Sequence, residues 1–240
     1  MQISKNDWNN YIEKLSKINN TAAELMKKWV DKNGLSDINA LIEYAHALIT
    51  KYGEGSAALA CEMYDAIAEL SNVTVAAAEA AEVATMDETA KAIQGCLKQS
   101  PDGAKISQVV GRMVKQAGAD TTLKNAKRDG AEWAWVTTGD TCVFCLVLGS
   151  RGWQKASRAV LKGNHADHIH ANCDCAFAIR FDEKTKYDSY DPEALYEKYN
   201  SAEGRSSQDK INSLRRMQYA QNKDYINAQK RAAYEVRNEN

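Results

Sequence analysis

The chain has 240 residues, 31 Lys and Arg against 32 Asp and Glu, and 44% hydrophobic residues. These are the proportions of an ordinary soluble globular protein, long enough for one or two domains and a proper core. No apolar run approaches the roughly 20 residues that span a bilayer. The segment from Met1 to Trp8 lacks the apolar stretch of a secretory signal, so a reducing cytoplasm is expected, and there cysteines bind metal more readily than they form disulfides.

Trp8, Tyr11, Ile12, Leu15, Ile18, Ala22, Leu25, Met26, Trp29 and Val30 step by three and four. That period predicts an amphipathic helix over residues 7 to 30, with Asp7 as its N-cap and Gly34 at its end. A second stripe from Leu35 to Tyr52 is expected to stop at Gly53, and Ser56 to cap a third helix carrying Ala60, Met63, Tyr64, Ile67 and Leu70. His46 lies beside the second stripe and reads as a packed or half-exposed side chain. Ala76 to Ala84 has helix propensity or forms a thin linker, and Thr85 to Glu88 has the spacing of a capping box. After the break at Ser100 to Gly103, Ile106, Val109, Val110, Met113 and Val114 mark a helix ending near Gly118. Asp120 then caps a basic segment closed by Gly130. Cys61 and Cys96 fall on helical stripes and read as buried structural thiols.

The period changes at Glu132. Trp133, Trp135 and Thr137 alternate with Ala134 and Val136, as Cys173, Cys175, Phe177, Ile179 and Phe181 alternate further on, and two paired strands are expected. Later, Asp191 and Pro192 have the form of a cap with proline at the first helical position. From Ser207 a long polar helix with a weak stripe is expected to lie on a partner or fray.

Between those strands lies the densest chemistry of the chain. Four of the six cysteines and three of the four histidines fall within residues 140 to 181. Thiolates and imidazoles are the ligands a structural zinc ion prefers, converging from two pieces of backbone. Cys142 and Cys145 supply the first piece. His170 and Cys173 repeat the spacing in the second, with Cys175 as the alternative fourth ligand; His165 and His168 are weaker candidates. The metal set is therefore Cys142, Cys145, His170 and one of Cys173 and Cys175, with zinc as structural cofactor. Packed reduced thiols, a redox-active Cys-x-x-Cys pair and a disulfide framework are the competing readings.

The charge is uneven along the chain. Asp31 to Gly103 has twelve acidic and four basic side chains, whereas Ala104 to Lys162 has ten basic and four acidic. A solvated surface is the default reading and a phosphate-facing patch the alternative. The expected fold is mainly α with a small zinc-stapled α+β module. A helical N-terminal region covers residues 1–103, the module 104–190 with a short antiparallel β-ribbon at the Cys/His cluster, and a helical extension 191–240.

Three segments carry a family likeness: Trp135-Val-Thr-Thr-Gly-Asp140-Thr-Cys-Val-Phe-Cys145, Leu148-Gly-Ser-Arg-Gly152 and His170-Ala-Asn-Cys-Asp-Cys175. With these the chain resembles the minor head, or head morphogenesis, proteins of tailed bacteriophages, the Mu F-like family. Upstream, Leu41 to Ala45 and Tyr52 to Asp65 look like the helical leader of members from phages of Gram-positive hosts, so the likeness runs over about residues 5 to 190 and makes 104–190 the Mu F-like module. The resemblance implies a virion component of small copy number, assembled in the host cytoplasm. Its implied partners are portal and capsid proteins and, non-specifically, packaged double-stranded DNA, with no membrane contact. Some relatives carry a toxin or protease domain after the motif, but the polar segment here is too short for one.

Enzymatic readings fare less well. Asp167 and His168 resemble the step that opens an HNH nuclease site, yet no histidine follows His170 and the second Cys-x2-Cys half is missing. Neither proline precedes a cysteine pair as a zinc deaminase requires, and His-Glu-x-x-His is absent. A sulfur-rich ligand set leaves zinc no open position for water. The expectation is a structural protein and no enzyme, with no catalytic residue and no organic cofactor. A zinc-supported HNH-like nuclease or a non-specific DNA-binding protein is the alternative.

Overall fold

The computed structural model describes residues 1–100, 102–137, 142–157 and 175–238. In chain order these are β1 (Gln2–Ile3), α1 (Lys5–Asn33), α2 (Ile38–Leu70), α3 (Met86–Gln99), α4 (Gly103–Asp129), β2 (Glu132–Val136), α5 (Val143–Gly149), β3 (Gln154–Lys155), β4 (Ala176–Arg180), β5 (Lys186–Tyr187), α6 (Pro192–Asn200) and α7 (Ser207–Asn238). The described protein is mainly helical with a small β-sheet. It divides into two compact units, one of Met1–Thr141 with Gly152–Tyr190, the other of Cys142–Arg151 with Asp191–Asn240.

In the first unit the apolar stripe of α1 is buried as its period requires, from Trp8 through Ile12, Leu15, Ala22 and Met26 to Val30. Its cap is Ser4, not Asp7: the Asp7 N–H donates to Ser4 Oγ at 3.1 Å, and Asp7 occupies the third helical position. The expected break at Gly53 and Ser56 does not occur, because α2 is one helix of 33 residues with both positions buried inside it. Likewise α4 runs through Gly118 and Asp120 for 27 residues before Gly130 ends it at φ +70°.

The interior glycines serve close approach. A Cβ at Gly118 would stand 2.6 Å from Ser56 Oγ, and one at Gly53 would stand 3.0 Å from Val83 Cγ1. Helix propensity against glycine is about 1 kcal/mol, too little to end a helix whose neighbours bury it. Met26, Leu41, Ala45, Ile49, Ile93, Ile106, Val110 and Val114 form the shared core.

Residues 72–84 are not helical despite their alanines. They form an extended strap returning from the end of α2 toward α3, the linker alternative of the sequence reading. The capping box at α3 is present: Glu88 N–H donates to Thr85 Oγ1 at 3.3 Å and Thr85 N–H to the Glu88 carboxylate at 2.8 Å. Cys61 and Cys96 are half-buried rather than buried.

The sheet has the order β3-β2-β4, and β2 and β4 pair antiparallel with Trp133 opposite Ile179 and Trp135 opposite Phe177. The ribbon expected from alternation is therefore there, but both faces are covered, so Ala134, Val136, Ala176 and Ala178 are buried as well as the aromatics. Arg180 closes the end of the ribbon with a 2.6 Å ion pair to Glu132. The two-residue strand β3 gives no periodic signal; it adds to β2 through Gln154 and Lys155. The N-terminal β1 pairs in parallel with β5, tying Ile3 to Tyr187.

The second unit is a small helical cluster. Val143 and Leu146 of α5 pack with Leu195 and Tyr199 of α6, Ala202, and Ile211 and Leu214 of α7. Asp191 caps α6, accepting from the Ala194 N–H at 3.0 Å with Pro192 in the first turn. Beyond Leu214, α7 exposes Met217 and Tyr219.

Candidate functional site

Cys142 and Cys145 occupy the N-terminus of α5 in the second unit. Cys142 is the cap, with extended backbone at φ −62° and ψ 150°, and its Sγ accepts from the Cys145 N–H at 3.4 Å. Cys145 is buried and Cys142 half-buried. The expected tight turn is thus the first turn of a helix, in which the cap and the third helical residue share one side.

Cys175 lies immediately before β4 in the first unit and is 2% exposed. The ammonium of Lys115, itself 8% exposed on α4, donates to Cys175 Sγ at 3.9 Å. A small cavity of about 20 Å³ adjoins the pair, lined by Tyr11, Leu15, Thr122, Trp135 and Phe177. Burial holds the Tyr11 phenol above its ordinary range, against a hydrogen bond with Thr122 that works the other way.

His170 and Cys173, with His165, Asp167 and His168 of the weaker readings, lie outside the described residues. Among the described residues no group of three or more His, Cys, Asp and Glu side chains is placed to hold a metal. His46 sits half-buried on α2 with Nδ1 3.4 Å from Thr89 Oγ1, a packed histidine as expected. Burial raises the thiols of Cys61 and Cys96 above their ordinary values.

Lys115 escaped the sequence reading. A lone lysine off the Val110 to Val114 stripe normally faces water, but α4 is packed by α1, α2, α3 and β4, and little of its circumference remains for solvent. The larger grooves contain neither His nor Cys among their described linings. One of about 560 Å³ lies between α1 and the end of α2, and one of about 390 Å³ lies beside Glu82 to Thr85. No described helix is long and apolar enough to cross a membrane.

Compared with known proteins, the chain matches no curated protein and no solved structure. The family model described as VG15 protein matches it over residues 2–202, a span that contains the first unit except Met1, the Cys/His cluster and α6. The chain belongs to the VG15 protein family, a family of phage proteins.

Proposed function

We propose that this phage protein is a structural minor head protein, a Mu F-like component of the virion that acts with portal and capsid proteins and touches packaged double-stranded DNA without sequence preference. The observation that carries this reading is the family match across residues 2–202, which embraces the motifs of the head-protein likeness from Trp135 to Cys175. The protein is no enzyme in this reading.

Its cofactor is a structural zinc ion held by Cys142, Cys145, His170 and one of Cys173 and Cys175. The donor set suits the ion: sulfur and imidazole are zinc ligands, Cys142 and Cys145 share the first turn of α5, and Cys175 Sγ has the ammonium of Lys115 at 3.9 Å.

Two measurements test the proposal. Mass spectrometry of purified particles should find the protein at a few copies per particle, and elemental analysis of the purified protein should find about one zinc per chain. Its absence from particles overturns the head assignment. Cutting of duplex DNA with Mg²⁺ replaces that assignment with the nuclease.

A further inference from the structure

Ile211 and Leu214 turn one side of α7 toward α5 and α6. Two residues on, Arg216 stands about 200° further around the helix, on the far side from Leu214. From there Arg216, Tyr219, Lys223, Asn227 and Arg231 follow at steps of three and four, so they share one face along about 22 Å of helix. Arg216, Tyr219, Lys223 and Arg231 are exposed and Asn227 is half-buried.

The face carries charge of one sign. Asp224 follows Lys223 by about 100° and falls off the stripe. Asp209, at the start of the helix, accepts from the Ser206 N–H at 3.0 Å. Among the described residues the ion pairs engage none of Arg216, Lys223 and Arg231. Within the basic segment 104–162, by contrast, Lys115 is buried, Lys124 pairs with Glu79, and Arg128 pairs with Asp129 and donates to the carbonyls of Ala76 and Ala77.

We infer that this face of α7 is a sequence-independent binding surface for the phosphate backbone of double-stranded DNA, met by Arg216, Lys223 and Arg231 with Tyr219 and Asn227 between them. Arginine, lysine, asparagine and tyrosine are the side chains that donate to phosphate, and a straight row of cations complements a regular row of anions. A lipid surface is disfavoured because the sequence beyond Leu214 has no Leu, Phe or Trp to enter a bilayer. The inference deepens the DNA contact of the proposed function and rests on that reading. It also assigns the contact to a helix beyond residues 2–202, outside the span of the family match.

Fluorescence anisotropy of the full chain with two labelled duplexes of unrelated sequence, titrated with KCl, tests it. Both duplexes should bind alike, with a log–log salt slope of about −2.7 for three phosphates. Arg216→Gln, Lys223→Gln and Arg231→Gln together should weaken binding at least tenfold and flatten the slope, with helix content checked by circular dichroism. The matched variant Lys5→Gln, Lys17→Gln and Lys28→Gln, which removes equal charge from exposed positions of α1, should bind within twofold of the unsubstituted chain. If the α7 variant binds as the unsubstituted chain does, or if the two variants lose equally, the α7 surface is overturned while the DNA contact stands. If the unsubstituted chain binds neither duplex, that contact falls with it. Binding to phosphatidylserine vesicles in place of DNA overturns the inference in favour of a membrane.

Discussion

A methyl group on Gly118 would lie 2.6 Å from Oγ of Ser56 and 3.1 Å from its backbone oxygen, so the crossing of α4 over α2 depends on the missing side chain. The Ser56 side chain can turn away, but the backbone oxygen cannot without moving α2. Gly118→Ala should therefore destabilise the protein by about 1–3 kcal/mol despite alanine's better helix propensity. Urea unfolding measures this, and a stabilised variant would mean that the two helices do not cross at these residues.

Ser56 offers the converse change. Its buried Oγ has no hydrogen-bond partner among the described residues, so Ser56→Ala removes an unsatisfied polar atom without opening a large cavity. The expected result is unchanged or raised stability. In the double variant part of the Gly118→Ala penalty should disappear, a coupling that a double-mutant cycle reads directly.

The end of α4 makes stability depend on pH from the acid side. Hydrogen bonding from Arg128, and then from Tyr64, holds the Asp129 carboxyl below its ordinary value. A depressed carboxyl contributes its stabilisation above the ordinary carboxylate range, about pH 4, and loses it as pH falls through the folded value. Asp129→Asn should lower stability at neutral pH and flatten this acid limb in melting curves taken from pH 7 to pH 2.

The alkaline side rests on phenols. Burial raises Tyr64, Tyr187 and Tyr190 above their ordinary values, with the Asp129 carboxylate adding to the effect at Tyr64. A raised group keeps its contribution below the unfolded value, and the contribution is lost as pH climbs toward the folded one. Stability should thus fall from about pH 10 upward. Tyr64→Phe should soften that fall at the expense of the 2.9 Å bond to Asp129.

For the proposed zinc, Cys142→Ser should abolish metal binding, and exhaustive chelation should lower the melting temperature of the unsubstituted protein. Lys115→Met keeps the volume of the side chain but removes the cation beside Cys175. If Cys175 is a ligand, zinc affinity should drop on the order of 10- to 100-fold, as for other partners of metal ligands. Unchanged affinity would leave Cys173 as the ligand.

The stripes from Trp8 to Val30 and from Trp133 to Val136 were legible because a helix or strand buried on a definite face repeats its apolar residues at that element's own period. The capping boundaries at Thr85 and Asp191 were legible for a related reason: the side chain satisfies donors only two or three residues away. Gly53 and Gly118 misled, since a glycine that ends a helix and one that admits a neighbouring helix look identical until the neighbour is in place. The strap was undecidable for the same reason. Alanine favours helix locally, but Asp65, Thr121, Lys124, Asn125 and Arg128 offer its backbone other partners, and only the tertiary fold brings those side chains to it. The sequence alone singled out Cys142, Cys145, His170, Cys173 and Cys175 as the candidate ligands of the proposed metal, because the spacing of sulfur and imidazole donors is read without the fold. Tertiary structure decided that Lys115 is buried beside Cys175, because a helix packed on several faces gives a lysine little access to water.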